Sequence, residues 1–146
     1  MSTCYWLNAG IGIRADNVYD KLNKRKIVNM LAVQLPKDET VRFFKRSSDL
    51  SEFDVEEFLY GEPFENLGDL LTHFDDTDTL TFGDNGDGES YLFYPPCMPW
   101  EVGDNSPKSI EEVHQRIIAA VMKATDMTAE EIEKLIDDEL YEVGYG

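Results

Sequence analysis

Residues 77–82 and 90–94 are two runs rich in β-branched and aromatic side chains, and the segment between them holds the pairs Asn85-Gly86 and Asp87-Gly88. Such pairs supply the positive φ that a tight hairpin requires, so this stretch is expected to form an antiparallel β-hairpin. Another strand is written in the odd positions Tyr5, Leu7, Ala9, Ile11 and Ile13, whose period of two gives residues 3–14 one oily face. Gly10 and Gly12 fall on the opposite face, where something can approach the backbone closely. With helical periods elsewhere and no repeated βαβ unit, the pattern predicts an α+β fold in a single domain over 1–146. It is a small, mainly antiparallel sheet packed on one face by four to six helices.

The helices follow from apolar spacing and end signals. Asp16 or Asn17 is expected to cap a helix through Val18, Tyr19 and Leu22, and beyond Asn23 the stripe Ile27, Val28, Met30 and Leu31 supplies another that Pro36 ends. Residues 38–46 read as a short helix burying Val41 and Phe44, with Lys45 and Arg46 at its favourable C-terminal end. Ser51 suits the cap of a helix over 52–60 with Val55, Phe58 and Leu59 inward, stopped by Gly61. Pro63 suits the first turn of the next, where Phe64, Leu67, Leu70, Leu71 and Phe74 share a face. Two helices close the chain: 109–124, with Ile110, Val113, Ile117 and Val121 inward, and 129–140, with Ile132, Leu135 and Ile136 inward. A capping box joins Thr128 and Glu131. Residues 141–146 read as a short edge strand, and Pro95, Pro96 and Pro99 impose an extended loop from which Met98 and Trp100 tuck against the core.

An apolar content of 42% with 12% aromatics is enough for an ordered core despite a net charge of −17. No run approaches the ~18 apolar residues of a membrane span, and the first residues lack a basic stretch followed by an apolar one, so a cytoplasmic protein with no membrane partner is expected. Cys4 and Cys97, without metal-ligand spacing, read as reduced thiols rather than a disulfide, and a catalytic thiol would need His73 or His114 as its base.

The charges are partitioned. From Ser47 to Pro107 there are sixteen Asp and Glu and not one Lys or Arg, whereas residues 1–48 carry nine basic residues against four acidic ones. If the acids converge on one face, that face steers basic surfaces and repels nucleic acid itself; if they are spread evenly, they serve solubility. Asp69, Asp75, Asp76, Asp78, Asp84, Asp87 and Glu89 are the candidate contacts, with Phe93, Tyr94 and Trp100 as aromatic anchors at the hairpin's rim or as core. Lys21, Lys24, Arg25 and Lys26 form a basic cluster that would complement the acids of a neighbouring copy, which allows a homodimer.

Other chemistries compete for the same residues. Gly10-Ile11-Gly12-Ile13-Arg14-Ala15 fits a dinucleotide fingerprint, but that motif leaves its strand at the first glycine and here the alternation persists to Ile13, so no cofactor is expected. The acid-glycine run 84–89 departs from a calcium loop and suits a hairpin tip, leaving weak divalent binding as a minor alternative and no metal among the expected ligands. His73 beside Asp75 and Asp76 has the minimum equipment of a metal-dependent hydrolase. His114, on the apolar side of its helix, reads as a core or subunit-contact residue.

The segment 68–78, Gly-Asp-Leu-Leu-Thr-His-Phe-Asp-Asp-Thr-Asp, continuing to Tyr94-Pro95-Pro96-Cys97-Met98-Pro99-Trp100, resembles segments of short proteins carried by bacterial phages and conjugative elements. Small acidic proteins of such origin are similar to anti-defence inhibitors, among them anti-CRISPR and anti-restriction proteins. The resemblance implies a non-catalytic inhibitor in the bacterial host cytosol that binds a basic, nucleic-acid-binding surface of a host defence enzyme. The alternative is an immunity or regulatory protein for a cognate toxin.

Overall fold

The computed structural model describes residues 5–55, 67–84, 90–95 and 103–145. Among these residues four antiparallel strands, β1 (Tyr5–Arg14), β2 (Thr81–Asp84), β3 (Ser90–Tyr94) and β4 (Asp137–Tyr145), form one sheet in the order β2-β3-β1-β4. Among the described residues six helices accompany it: α1 (Asp16–Tyr19), α2 (Lys24–Gln34), α3 (Glu39–Arg46), α4 (Leu67–Thr72), α5 (Ile110–Ala124) and α6 (Ala129–Leu135). This is the α+β architecture anticipated from the sequence.

Register explains which face is oily. Ile13 lies opposite Leu92, which lies opposite Phe82, and Ile11 lies opposite Tyr94. Ile13 and Leu92 are fully buried and the other three pack against them. The helices complete this core with Val18 of α1, Ile27, Val28 and Leu31 of α2, Val41 of α3, Leu70 and Leu71 of α4, Ile117 and Val121 of α5, and Ile132 of α6. On the other face, Gly10 and Gly12 are buried and Tyr91, opposite Arg14 and Gly83, is buried too. The β1–β4 register slips between Gly10 and Gly12, as expected where glycine permits a bulge.

Several elements differ from expectation for identifiable reasons. The first hairpin strand begins at Thr81, not 77, because the Asp75 carboxylate takes the N–H groups of Thr77, Thr79 and Leu80 that a strand would give to a neighbour. Ala15, not Asp16 or Asn17, occupies the cap position of α1 and offers no side-chain bond, while Asn23 separates the second helix by capping it, its side chain accepting from the Lys26 N–H. Within α1, Val18 is buried and Tyr19 is exposed.

Ser51 starts no helix at 52. Residues 50–53 form a turn closed by Phe53 N–H on Leu50 C=O, and Phe53 itself is buried, edge-on to Phe44. The remainder of that expected helix, with Phe58 and Leu59, lies outside the described residues, as do Phe64, Met98 and both cysteines.

At the other end, the capping box of Thr128 and Glu131 forms as expected, yet α6 stops at Leu135. Ile136 already has extended backbone, and residues 137–145 pair with β1, making the edge strand longer and earlier than the anticipated 141–146. Two consecutive aspartates are weak helix formers, and the open edge of β1 offers them a ladder instead.

Candidate functional site

The acids singled out in the sequence do not share one outward face. Asp75 is buried; one carboxylate oxygen accepts from the N–H and hydroxyl of Thr77 and the other from the N–H groups of Thr79 and Leu80, both at 2.8 Å. Burial pushes this carboxyl up, but the bonds from Thr77, Leu80 and Thr79 outweigh it and hold its pKa below the ordinary aspartate value. Asp76 turns away and pairs with Lys123 of α5. Asp78 adopts left-handed backbone at φ 52°, a conformation Asp tolerates better than most residues. Asp69 sits half-buried in the first turn of α4, and Asp84 ends β2 opposite Ser90. Phe93 lies in β3 opposite Gly12 and Thr81, and Tyr94 packs on the core. Asp87, Glu89 and Trp100 lie outside the described residues.

The trio considered for hydrolysis is likewise dispersed: His73 Nδ1 bonds the Asp69 carbonyl oxygen at 2.6 Å, while Asp75 faces inward and Asp76 faces Lys123. Among the described residues no group of three His, Cys, Asp or Glu is placed to hold one metal ion.

The basic segment is placed differently again. Arg25 donates to the carbonyls of Phe44, Lys45 and Ser47, closing the C-terminal end of α3. Lys26 donates to the carbonyls of Met122 and Thr125 at the end of α5, 4.0 Å from Asp126. Lys24 reaches Leu50 C=O, and Lys45 bonds the Asn29 side chain. Asn23 completes the junction: its amide donates to both Asp126 oxygens and its backbone N–H to Ala124 C=O. These cations therefore act mainly on the negative ends of helices, where the last carbonyls lack intrahelical partners.

A groove remains between α5 and α6, about 690 Å³ in volume and lined by Ile110, Glu111, His114, Gln115, Ile118, Ala129, Glu130, Glu133 and Lys134. Its floor is apolar, and Ile110, expected in the core, is 60% exposed here. Glu111 and Glu130 are exposed on the rim, and among the described residues neither has a hydrogen-bonding or ion-pair partner. Both belong to first helical turns, where the helix dipole favours carboxylates.

His114 ties the groove to the sheet. Its Nδ1 meets Glu133 of α6 and its Nε2 meets Asp138 of β4, each at 2.7 Å. A neutral imidazole can donate from only one nitrogen, so two carboxylate acceptors favour the imidazolium. Burial would depress its pKa; the hydrogen bonds and charges of Glu133 and Asp138 prevail and raise it. The two carboxylates sit at opposite ring nitrogens and share no point where a metal or a reacting atom could bind both.

The sequence reading overlooked this groove, because Ile110 satisfies the helical stripe as well as any core residue and the rim acids are separated by a turn and an intervening helix boundary. The available signal was the pair of acidic first turns, Glu111-Glu112 and Glu130-Glu131, following the caps Ser109 and Thr128. Among the described residues no helix is long and apolar enough to cross a membrane. Comparison with family models, curated proteins and solved structures gives no match.

Proposed function

We propose that this chain is a non-catalytic, acidic protein-binding inhibitor that occupies a basic, nucleic-acid-binding surface of a host defence enzyme, in the manner of the anti-defence proteins of mobile elements. One observation carries the reading: Glu111 and Glu130, on the rim of an apolar groove, have no ion-pair partner among the described residues, the groove's own Lys134 included. An apolar floor contributes affinity and an acidic rim contributes orientation and a fast encounter with a positive surface. The hydrolase alternative has less support, since His73, Asp75 and Asp76 engage three separate partners.

The test is retention of purified basic nucleic-acid-binding enzymes on the immobilised protein at graded salt, with DNA or RNA as competitor. An inhibitor of this kind binds at low salt, releases steeply as salt rises and is displaced by the competitor. Binding that resists competing nucleic acid favours the immunity-protein alternative, and an absence of binding to every basic enzyme, or binding unchanged by Glu111→Lys with Glu130→Lys, overturns the proposal.

A further inference from the structure

The molecule also carries a surface opposite in character to the groove. On α3, Phe43 is 65% exposed, held edge-on against Phe44, and flanked by Arg42 and Arg46 one helical turn apart. Among the described residues no hydrogen bond or ion pair engages either guanidinium, in contrast to Arg25 and Lys26. Glu39, one turn before Phe43, borders the same depression with Arg42 and Arg46. An exposed aromatic set between two unpaired arginines is the composition found at the anchoring centre of protein contacts.

The two surfaces are complementary in charge, and each has an apolar centre. Arg42 and Arg46 complement Glu111 and Glu130, Glu39 complements Lys134, and the exposed ring of Phe43 supplies an apolar group for the apolar floor made by Ile110 and Ile118. They cannot meet within one chain: α3 packs on α2 while the groove is formed by α5 with α6, the two sites share no lining residue, and each is fixed on a helix. We infer that, in the absence of a basic target, the groove between α5 and α6 is occupied by a second copy of this chain, which inserts Phe43 between the rim carboxylates and which such a target would displace. This rests on the reading of the groove as a protein-binding surface. It also replaces the cluster at Lys21, Lys24, Arg25 and Lys26 as the basic partner in self-association, since Arg25 and Lys26 are engaged within the fold.

The contact joins two different patches, so two reciprocal insertions close a twofold dimer, while one-way insertion makes an open chain. One aromatic anchor with two peripheral ion pairs places it among weak, salt-sensitive associations.

Sedimentation velocity on the full chain from about 10 μM to about 1 mM, at about 50 mM and about 500 mM salt, tests it. The weight-average mass should rise with concentration at low salt and fall back at high salt. Phe43→Ser and Ile110→Ser should each remain monomeric. An equimolar mixture of the two should associate again, because one retains an intact groove and the other an intact knob. Both positions are exposed, and far-UV circular dichroism with a melting curve verifies folding; if either variant misfolds, the double substitution Arg42→Glu with Arg46→Glu substitutes for the knob variant and Glu130→Lys for the groove variant. A chain that is monomeric under every condition, or association that Ile110→Ser leaves intact, overturns the inference. Carrying Ile110→Ser into the retention test above separates the two proposals: a wild-type monomer whose capture by a basic enzyme is lost with Ile110→Ser keeps the function and loses the self-contact.

Discussion

The two ends of α5 carry opposite solutions to the same electrostatic problem. At the C-terminal end, Lys26 and Asn23 reach across from α2 and close it, so charge becomes part of the fold. At the N-terminal end, Glu111 and the facing Glu130 suit the helix dipole but bond to no side chain among the described residues, so their charge stays available to solvent. Formal charge therefore says little about role; the backbone group a charge faces says more. A lysine on a carbonyl contributes to stability, whereas a glutamate beside an apolar groove is, in the function proposed above, a contact for a partner.

Substitutions can break this contrast in order of size. The largest effect belongs to Asp75, the interior counterpart of Lys26: Asp75→Ala leaves three backbone N–H groups without their acceptor and should cost about 3 kcal/mol by denaturant unfolding. Next is Arg25→Met, which keeps the apolar stem and removes the donors to the end of α3, for a loss of about 2 kcal/mol. Asn23→Ala removes both the cap of α2 and the bonds to Asp126 and should cost about 1–2 kcal/mol, read as a lower melting midpoint. The smallest change in stability is expected from Glu130→Gln, within about 0.5 kcal/mol, although it should weaken capture of a basic enzyme. If Glu130→Gln instead destabilises as much as Asn23→Ala, the contrast between the closed C-terminal end of α5 and the open groove at its other end fails.

His114 sharpens the contrast through pH. Its folded pKa is raised, so the latch to Glu133 and Asp138 contributes fully below the ordinary histidine value and is lost as pH rises through the folded value. Glu111, Glu130 and Lys134 also border the groove in which it sits. The wild-type chain should lose stability relative to His114→Gln as pH rises above the ordinary histidine value, and the profile of His114→Gln should be flatter. Asp75 works in the opposite sense: its pKa is depressed, so its contribution is present above the ordinary aspartate value and disappears as pH falls through the folded one.

Much of the fold was legible in residue order because period and turn chemistry are local. The alternation into Ile13, the hairpin around 83–89 and the Thr128–Glu131 box each depend on neighbours within a few positions, and each described part forms. What was not legible depends on partners far along the chain. Nothing near Asp75 announces that it will take the N–H groups of its own successors, since an exposed acidic turn and a buried carboxylate knot share the same letters. Nor does the text around 137–145 reveal that β1 has an open side, which is what draws those residues out of α6. The site was harder still. Ile110 obeys the spacing of Val113 and Ile117, and only the three-dimensional position of α6 turns it from a core residue into a groove floor.

The pairing of Tyr5 with Tyr145 must wait until β4 has been synthesised. On the ribosome β1 emerges long before β4, and its outer row of amides and carbonyls stays bare while the intervening helices fold. During that interval the bare edge is a template for any extended segment nearby, including a nascent neighbour on the same messenger. Slowing translation over the codons for 137–145 should therefore lower the soluble yield more than slowing it over α3, whose packing on α2 is already possible when it leaves the exit tunnel.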